Sequence, residues 1–137
     1  MPGGTYTLFV ELSERADIIV GALGEHDFEQ GWYAYTGSAL GSGGFVRIER
    51  HRAVAAGEND TRHWHIDYLL GHPTSRIAAV ARTADAEVEC AVAGALPGQP
   101  VAGFGASDCE CESYLAFDTD RGRLWRAVRG AHRAFAP

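Results

Sequence analysis

Residues 32–52, WYAYTGSALGSGGFVRIERHR, give the clearest indication of how the chain folds. In residues 32–36, tyrosines alternate with other side chains, which is typical of a β-strand. Gly37 predicts a turn, and a loop rich in Ser and Gly follows it. The remaining residues favour a helix that places Arg47 and His51 four positions apart on one face. Tyrosines at a strand end beside an arginine and a histidine favour a phosphate site over core packing.

The residues before this segment favour two more strands. Residues 5–12, TYTLFVEL, and residues 17–23, DIIVGAL, are rich in the side chains that strands prefer. A polar turn at residues 13–17 separates them, so we expect an antiparallel hairpin. Residues 24–31 are then a polar connection. Three strands in succession, followed by helices, indicate an α+β fold with a small central mixed or antiparallel sheet flanked by helices.

The residues after this segment alternate between helical and strand patterns. The first helix, which begins at about Gly44, is expected to end near Gly57, because glycine is common just after a helix. The later elements are predicted as a helix within residues 63–73, a strand at 76–83, a helix at 86–96 capped by Thr83 or Asp85, and a strand at 113–117.

The end of the chain has a helical pattern from residue 118 onward. Its apolar side chains are spaced for one helical face and are Leu124, Val128, Ala131 and Phe135. A helix with such a stripe is expected to bury that side. We therefore divide the chain into a domain at residues 1–117 and an arginine-rich helix at residues 118–137 that docks on it.

Charge is unevenly distributed along the chain. The net charge of −6 argues against a generally basic surface for nucleic acid, but all 12 cations are arginine. Seven of them fall in two clusters: Arg47, Arg50 and Arg52, then Arg121, Arg123, Arg126 and Arg129. Such local clusters can bind phosphate on an otherwise acidic protein.

The composition is that of an ordinary globular domain. The chain has 137 residues, of which 46% are hydrophobic and 22% charged, and this excludes wholesale disorder. No apolar run is long enough to cross a bilayer, and the first residues lack the pattern of a signal peptide. We therefore expect a cytoplasmic protein.

The three cysteines, Cys90, Cys109 and Cys111, allow two interpretations. A structural zinc ion could use them with His63 or His65. The C-x-C spacing lacks the two ligand pairs typical of zinc sites, however. We therefore favour reduced cysteines that pack a tight loop, as expected in a reducing compartment.

Two tripeptides carry a resemblance to a known family. Residues 4–6, GTY, and residues 35–37, YTG, resemble the two signatures of GIY-YIG nucleases, with threonine where isoleucine is usual. Arg47 and His51 are similar to the arginine and histidine on that family's following helix. The fuller pattern, over about residues 4–117, resembles the Uri-type archaeal branch of the superfamily.

The resemblance implies a metal-dependent endonuclease that hydrolyses phosphodiester bonds in DNA, with branched, flapped or damaged DNA in repair as a substrate class. It places a metal ligand at Glu89, a carboxylate suited to Mg²⁺ or Mn²⁺. The catalytic candidates are Tyr6, Tyr35, Arg47, His51 and His63. Tyr6 is the favoured general base and Tyr35 the alternative, because family members are not uniform on this point.

The remaining candidates would bind the nucleic acid itself. They are Gly37, Ser38, Arg50, Arg52, Arg121, Arg123, Arg126 and Arg129. Because threonine replaces the usual isoleucine at Thr5 and Thr36, a second interpretation stays open. In that interpretation the chain is a nucleic-acid-binding module that has the GIY-YIG fold and little or no cleavage activity.

Overall fold

A five-stranded antiparallel β-sheet forms the centre of the computed structural model, and helices pack on both of its faces. The structure describes residues 3–39, 44–60, 62, 64–101, 104 and 113–136. Its elements are β1 (Gly4–Leu12), β2 (Ala16–Ile19), a 3₁₀ helix (Gly21–Leu23), β3 (Glu25–Phe28), β4 (Gly31–Ser38), α1 (Val46–Ala55), α2 (His65–Leu70), β5 (Ser75–Ala84), α3 (Glu89–Gly94), β6 (Gln99–Pro100), β7 (Leu115–Asp118) and α4 (Arg121–Ala134).

The strands of the central sheet lie in the order β5-β1-β4-β7-β6, and every neighbouring pair is antiparallel. Strand β1 is therefore bonded on both edges, by β4 and β5. A small antiparallel sheet surrounded by four helices confirms the α+β class predicted from the sequence.

The sheet separates two apolar cores because side chains alternate along each strand. On one face, Tyr6, Leu8 and Val10 of β1 pack with residues of α1 and α2, such as Ile48 and Ile66. On the other face, Phe9 and Ala34 pack with Leu124 and Val128 of α4. We call these the α1 face and the α4 face of the sheet.

The expected hairpin between the first two strands is wrong. Strand β2 pairs with β3 in a separate two-stranded sheet, and β1 pairs with β4 and β5 instead. The segment at residues 24–31, predicted as a polar connection, contains β3. Its alternation is hard to recognise because only Phe28 of that strand is fully buried and the other side chains are polar.

The turn expected at Gly37 is also wrong, since β4 continues to Ser38. Gly37 pairs in register with Tyr6 of β1. A Cβ atom at Gly37 would lie 2.7 Å from the hydroxyl oxygen of Tyr6. The glycine is thus needed inside the strand, where it leaves room for the tyrosine side chain.

Helix α3 is shorter than predicted, at six residues rather than the expected eleven-residue segment. Neither Thr83 nor Asp85 caps it. Thr83 belongs to β5, and Asp85 adopts a positive φ of 58° in the turn that follows that strand. Val88 precedes the helix and makes no side-chain capping bond. Val92 is its buried residue.

Helix α4 packs across the sheet, against strands β4, β5 and β7. The Asp120 carboxylate accepts a hydrogen bond from the Arg123 N–H at 3.0 Å and so caps the helix. Leu124, Val128 and Ala131 are buried, as the apolar stripe predicted. Phe135 is 38% exposed, because the helix ends at the preceding residue and its side chain leaves the stripe.

Cys90 is disulfide-bonded, which differs from the expectation of reduced cysteines. Cys109 and Cys111, and with them the zinc alternative, lie outside the described residues. Sequence spacing could not reveal this bond, since it depends on how distant segments approach in the fold. No helix in the described ranges has the length and apolar character to span a bilayer.

Candidate active site

The candidate site lies on the α1 face of the sheet, where Tyr6 meets His51. Strand β1 projects Tyr6 from this face, and α1 places His51 above it. The Tyr6 hydroxyl and the His51 Nε2 atom are 2.6 Å apart, a short hydrogen bond between buried groups. Only 1% of Tyr6 and none of His51 is exposed to solvent.

Burial decides how this pair is protonated. It lowers the pKa of His51 to about 4, although the nearby Asp67 carboxylate opposes the shift. Burial also raises the pKa of Tyr6 well above its ordinary value, while the Arg47 guanidinium opposes that rise. At neutral pH both groups are therefore uncharged, and in the tautomer with the proton on Nδ1 the phenol donates to the imidazole at Nε2. The other ring nitrogen, Nδ1, is buried and has no hydrogen-bond partner in the described part of the chain.

Tyr35 lies beside the same histidine. The centres of the Tyr35 and His51 rings are 6.2 Å apart, in an edge-to-face arrangement. Burial raises the pKa of Tyr35 to about 12. Its hydroxyl makes no hydrogen bond to any residue that the structure describes. The two predicted tyrosines thus share one histidine, but only Tyr6 is hydrogen-bonded to it.

Arg47 extends from α1 toward the end of β4. Its Nη1 donates a hydrogen bond to the backbone carbonyl of Ser38 at 2.6 Å. Its guanidinium also lies 4.9 Å from the centre of the Trp64 ring, a cation–π distance. Arg47, predicted as a catalytic residue, is therefore held next to the tyrosine pair, and it keeps N–H donors available for another acceptor.

Behind Arg47 is an ion pair that the sequence analysis missed. Both nitrogens of the Arg50 fork donate to Asp67, each at 2.9 Å, and Asp67 is fully buried. The Arg50 guanidinium lies 4.4 Å from the centre of the Trp64 ring, and the backbone N–H of Trp64 donates to Asp67 at 2.9 Å. The predicted nucleic-acid contact Arg50 thus also binds α1 to α2. An aspartate inside the apolar run HIDYLL was the available signal.

Arg82 is a second residue that sequence reasoning missed. It pairs in register with Tyr6, and directly opposite residues of neighbouring strands project to the same face. Its guanidinium lies 5.2 Å from the centre of the Phe45 ring, at the start of α1. Arg82 is exposed, and within the described ranges it forms no ion pair with a carboxylate. Its position opposite Tyr6 could have identified it, but only once the pairing of β1 with β5 is known.

Glu89, the predicted metal ligand, is the first residue of α3. Its Oε2 atom is buried and has no hydrogen-bond partner among the described residues. A buried carboxylate oxygen in this state fits a divalent cation such as Mg²⁺, which often binds one or two carboxylates and keeps several waters. No group of three or more His, Cys, Asp or Glu side chains in the described part of the chain could hold a metal ion.

The structure does not bring Glu89 into contact with the tyrosine pair. No hydrogen bond between described residues joins it to Tyr6, Tyr35, Arg47 or His51. Its helix packs against β4 and α4. A connection exists through the backbone, because the Thr5 side chain of β1 is bonded to Val88.

The other predicted residues are spread over the surface or lie outside the description. His63 is outside the described residues. Arg52 is exposed, with Glu49 at 3.7 Å. The arginines of α4 project from the α4 face, opposite to Tyr6: Arg123 binds Asp118 at 2.8 Å, Arg121 lies 5.3 Å from the Trp32 ring centre, and Arg126 and Arg129 are exposed.

Comparison with known proteins found one family. A family model described as a domain of unknown function, DUF123, matches residues 5–136. The match includes both the sheet and the terminal helix α4. No curated protein and no solved structure matches the chain.

Proposed function

The chain belongs to the DUF123 family, and we propose that it is a metal-dependent endonuclease of the GIY-YIG type that hydrolyses phosphodiester bonds in DNA. The observation that carries this proposal is the 2.6 Å hydrogen bond between Tyr6 and His51, with the Arg47 guanidinium beside it. A phenol with its own proton acceptor can activate a water molecule, and an arginine can stabilise charge on a phosphate.

In this mechanism Tyr6 is the general base and His51 receives its proton. As water attacks phosphorus, the P–O bond to one sugar oxygen breaks and that oxygen takes a proton from solvent. A proton of the attacking water moves to the Tyr6 oxygen while the phenol proton moves to Nε2 of His51. The resulting imidazolium would be costly in a buried site, and the Asp67 carboxylate supports it by raising the pKa of His51. Tyr35 stays the second candidate, although none of the described histidines is hydrogen-bonded to it.

Arg47 would bind the phosphate oxygens. A guanidinium has five N–H donors in a planar fork. Nη1 of Arg47 donates to the Ser38 carbonyl and the guanidinium also interacts with the Tyr6 hydroxyl, so the fork keeps further donors for phosphate oxygens. The bond to Ser38 and the contact with Trp64 restrict the side chain before substrate arrives. An arginine held in this way loses little side-chain entropy when the substrate binds. More of its interaction energy is then available to stabilise the transition state.

Glu89 would hold the divalent cation, Mg²⁺ or Mn²⁺. The buried and unpartnered Oε2 atom supports this assignment. A bound ion would supply Lewis-acid stabilisation of the negative charge on the phosphate.

DNA is the proposed substrate because arginines surround the tyrosine pair on the α1 face. Arg47 interacts with Tyr6, Arg82 pairs in register with it, and Arg52 is exposed on α1. Phosphate contacts of this kind bind the backbone without reading its sequence. Branched or damaged DNA, as met in repair, is the substrate class that we propose to test first.

One observation favours a second candidate function. Because Glu89 makes no direct contact with Tyr6 or Arg47, the chain could bind nucleic acid without cutting it. In that case the arginines on the α1 face would hold a phosphate backbone, and the Tyr6–His51 bond would serve only packing.

A cleavage assay separates the two functions. Purified protein is incubated with supercoiled plasmid and with linear, flapped and four-way-branched oligonucleotides, in Mg²⁺, Mn²⁺ or EDTA. We expect nicked or cut products with either metal and none with EDTA. Glu89→Gln, prepared in the same way, should lose several kcal/mol of transition-state stabilisation and give no product in the same time. A gel shift by the wild-type protein without product in any metal would select the binding module.

A further inference from the structure

Thr5 occupies the position where the resemblance leads one to expect isoleucine. Its hydroxyl donates a hydrogen bond to the carbonyl of Ala86 at 2.8 Å and accepts one from the N–H of Val88 at 3.0 Å. The residue is fully buried. A threonine hydroxyl can donate and accept at once, whereas an isoleucine side chain has no polar atom and could make neither bond.

These bonds hold the segment between β5 and α3 against the start of β1. In the same segment, the Asp85 N–H donates to the carbonyl of Gly3 at 2.7 Å. Gly4 permits this close approach, because a Cβ atom there would overlap the carbonyl oxygen of Thr83. Three hydrogen bonds therefore fix residues 85–88 on the strand that carries Tyr6.

Helix α3 packs against β4 and α4, and the bonds to Thr5 hold the residues just before it. It has six residues and no side-chain capping bond, and helices this short are not stable by themselves in water. Its first residue is Glu89, directly after the Val88 amide that Thr5 holds. The buried Oε2 atom of Glu89 has no partner among the described residues, so its own hydrogen bonds do not fix it.

We propose that Thr5 is a positioning residue for Glu89: it fixes the backbone at residues 86–88 and so aims the Glu89 carboxylate at a divalent cation. This inference rests on the proposed metal role of Glu89. On this proposal the first motif, residues 4–6, has two roles. Tyr6 projects to the α1 face, and its neighbour Thr5 fixes the backbone before α3. Partners that orient a metal ligand typically change metal affinity about 10- to 100-fold when removed.

Binding of Mn²⁺ to the protein without DNA tests the inference, measured by electron paramagnetic resonance of the free ion. Thr5→Val keeps the shape of the side chain but removes both hydrogen bonds, and we expect its Mn²⁺ dissociation constant to rise about 10- to 100-fold. Thr5→Ser keeps the hydroxyl and should restore binding to near the wild-type value. The matched control is Thr36→Val, the other motif threonine, whose hydroxyl bonds Thr7 at 3.0 Å; its Mn²⁺ affinity should stay unchanged.

Glu89→Gln distinguishes the possible failures. If it binds Mn²⁺ as well as wild type does, or if wild type binds none, both the metal role of Glu89 and this inference are wrong. If Glu89→Gln loses binding while Thr5→Val keeps wild-type affinity, only the inference about Thr5 is overturned.

Amide hydrogen exchange in the wild-type protein gives a second readout that does not require Thr5→Val to fold. We expect the Val88 amide to exchange slowly in the metal-free protein, because Thr5 accepts its proton. Fast exchange at Val88, with slow exchange elsewhere in β1, would contradict the proposal.

Discussion

At the scale of single residues, the site depends on how Gly37 and Tyr6 share space. The tyrosine hydroxyl lies where a side chain at residue 37 would begin, and so it can reach His51. Hydroxyl and imidazole are then 2.6 Å apart in surroundings that exclude solvent. The motif at residues 35–37 therefore contributes Tyr35 to the site, and its Gly37 also leaves room for the side chain of Tyr6.

Gly37→Ala should disturb this arrangement without requiring an unusual backbone. The φ angle of Gly37 is not positive, so the cost of alanine is steric: its Cβ would lie 2.7 Å from the Tyr6 hydroxyl oxygen, 2.8 Å from Cζ of Tyr6 and 3.2 Å from Cε2 of Tyr35. We expect cleavage to slow by about 100-fold, since the phenol must move away from His51. Gly24→Ala is the control for stability, because its φ of 88° strains alanine without contacting the site. Wild-type turnover by Gly37→Ala would contradict the role assigned to this glycine.

The buried His51 predicts a pH dependence of stability. Its pKa is about 4 in the folded protein and near 6.5 in an unfolded chain, so the unfolded state binds the proton more tightly. Its contribution to stability is thus fully present above pH 6.5 and is lost as pH falls toward 4.

Urea denaturation at pH 7 and pH 4.5 measures this contribution. We expect the wild-type protein to lose about 2 to 3 kcal/mol more unfolding free energy between these pH values than His51→Gln does. His132→Gln is a useful comparison, since burial lowers the pKa of His132 in the same direction. Equal losses in the wild-type protein and in His51→Gln would show that His51 titrates normally in the folded state.

At the scale of elements, α1 and α2 are joined by charged groups around one tryptophan. Asp67 at the start of α2 binds Arg50 of α1, and Trp64 packs against both Arg50 and Arg47. The ion pair therefore indirectly orients the arginine that would bind phosphate.

Replacing Arg50 by methionine tests this connection. The change removes the Arg50 guanidinium, which forms two hydrogen bonds with the buried Asp67 carboxylate, so we expect unfolding free energy to fall by about 2 to 3 kcal/mol. That is less than the loss of about 3 to 5 kcal/mol typical of fully buried pairs, because 24% of the Arg50 side chain is exposed. Arg52→Met, on an exposed position of the same helix, should change stability by less than about 0.5 kcal/mol. Similar values for the two variants, from chemical denaturation, would mean that the pair is unimportant.

Elements were predictable from the sequence where one periodicity dominates. Helix α4 was found because its apolar residues repeat at helical spacing over a long segment, and strand β5 because residues 77–81 form a short continuous apolar run. Strand β3 was missed because its four residues are mostly polar and exposed. The α3 boundaries were wrong because its start is fixed by Thr5, 83 residues away from Val88, and local patterns contain no such information.

The candidate site shows the same limit. Tyr6, Tyr35, Arg47 and His51 could be predicted because they lie in motifs, and the structure brings all four together. Asp67, Trp64 and Arg82 could not, since their roles depend on helix packing and on strand register. Glu89 was predicted as the metal ligand of the same site, but no described hydrogen bond joins it to Tyr6 or Arg47.

At the scale of the whole molecule, the sheet divides the arginines into two sets. Arg47, Arg52 and Arg82 lie on the α1 face with the tyrosine pair. Arg126 and Arg129 project from α4 on the opposite face. A DNA duplex bound at Tyr6 would therefore contact the arginines of the α1 face more readily than those of α4. Because α4 also buries core side chains, deleting it would test folding more than DNA binding.

Paired substitutions compare the two faces. Arg52→Gln with Arg82→Gln should flatten the slope of log affinity against log salt by up to about 1.8, which is 0.9 for each lost contact to duplex phosphate. Arg126→Gln with Arg129→Gln changes the net charge equally and should flatten it less. Affinities are measured by fluorescence anisotropy in EDTA, where no cleavage is expected. A larger effect of the α4 pair would show that DNA lies on the α4 face.

The central claim is that Tyr6, with His51 as its proton acceptor, cuts a phosphodiester bond. Single-turnover cleavage of branched DNA in Mn²⁺ by wild type, Tyr6→Phe and Tyr35→Phe tests it most directly. General-base catalysis contributes about 10²- to 10⁴-fold. Tyr6→Phe should therefore be at least about 100-fold slower with unchanged DNA affinity, while Tyr35→Phe stays within about tenfold of wild type. Cleavage by Tyr6→Phe at the wild-type rate would contradict the account.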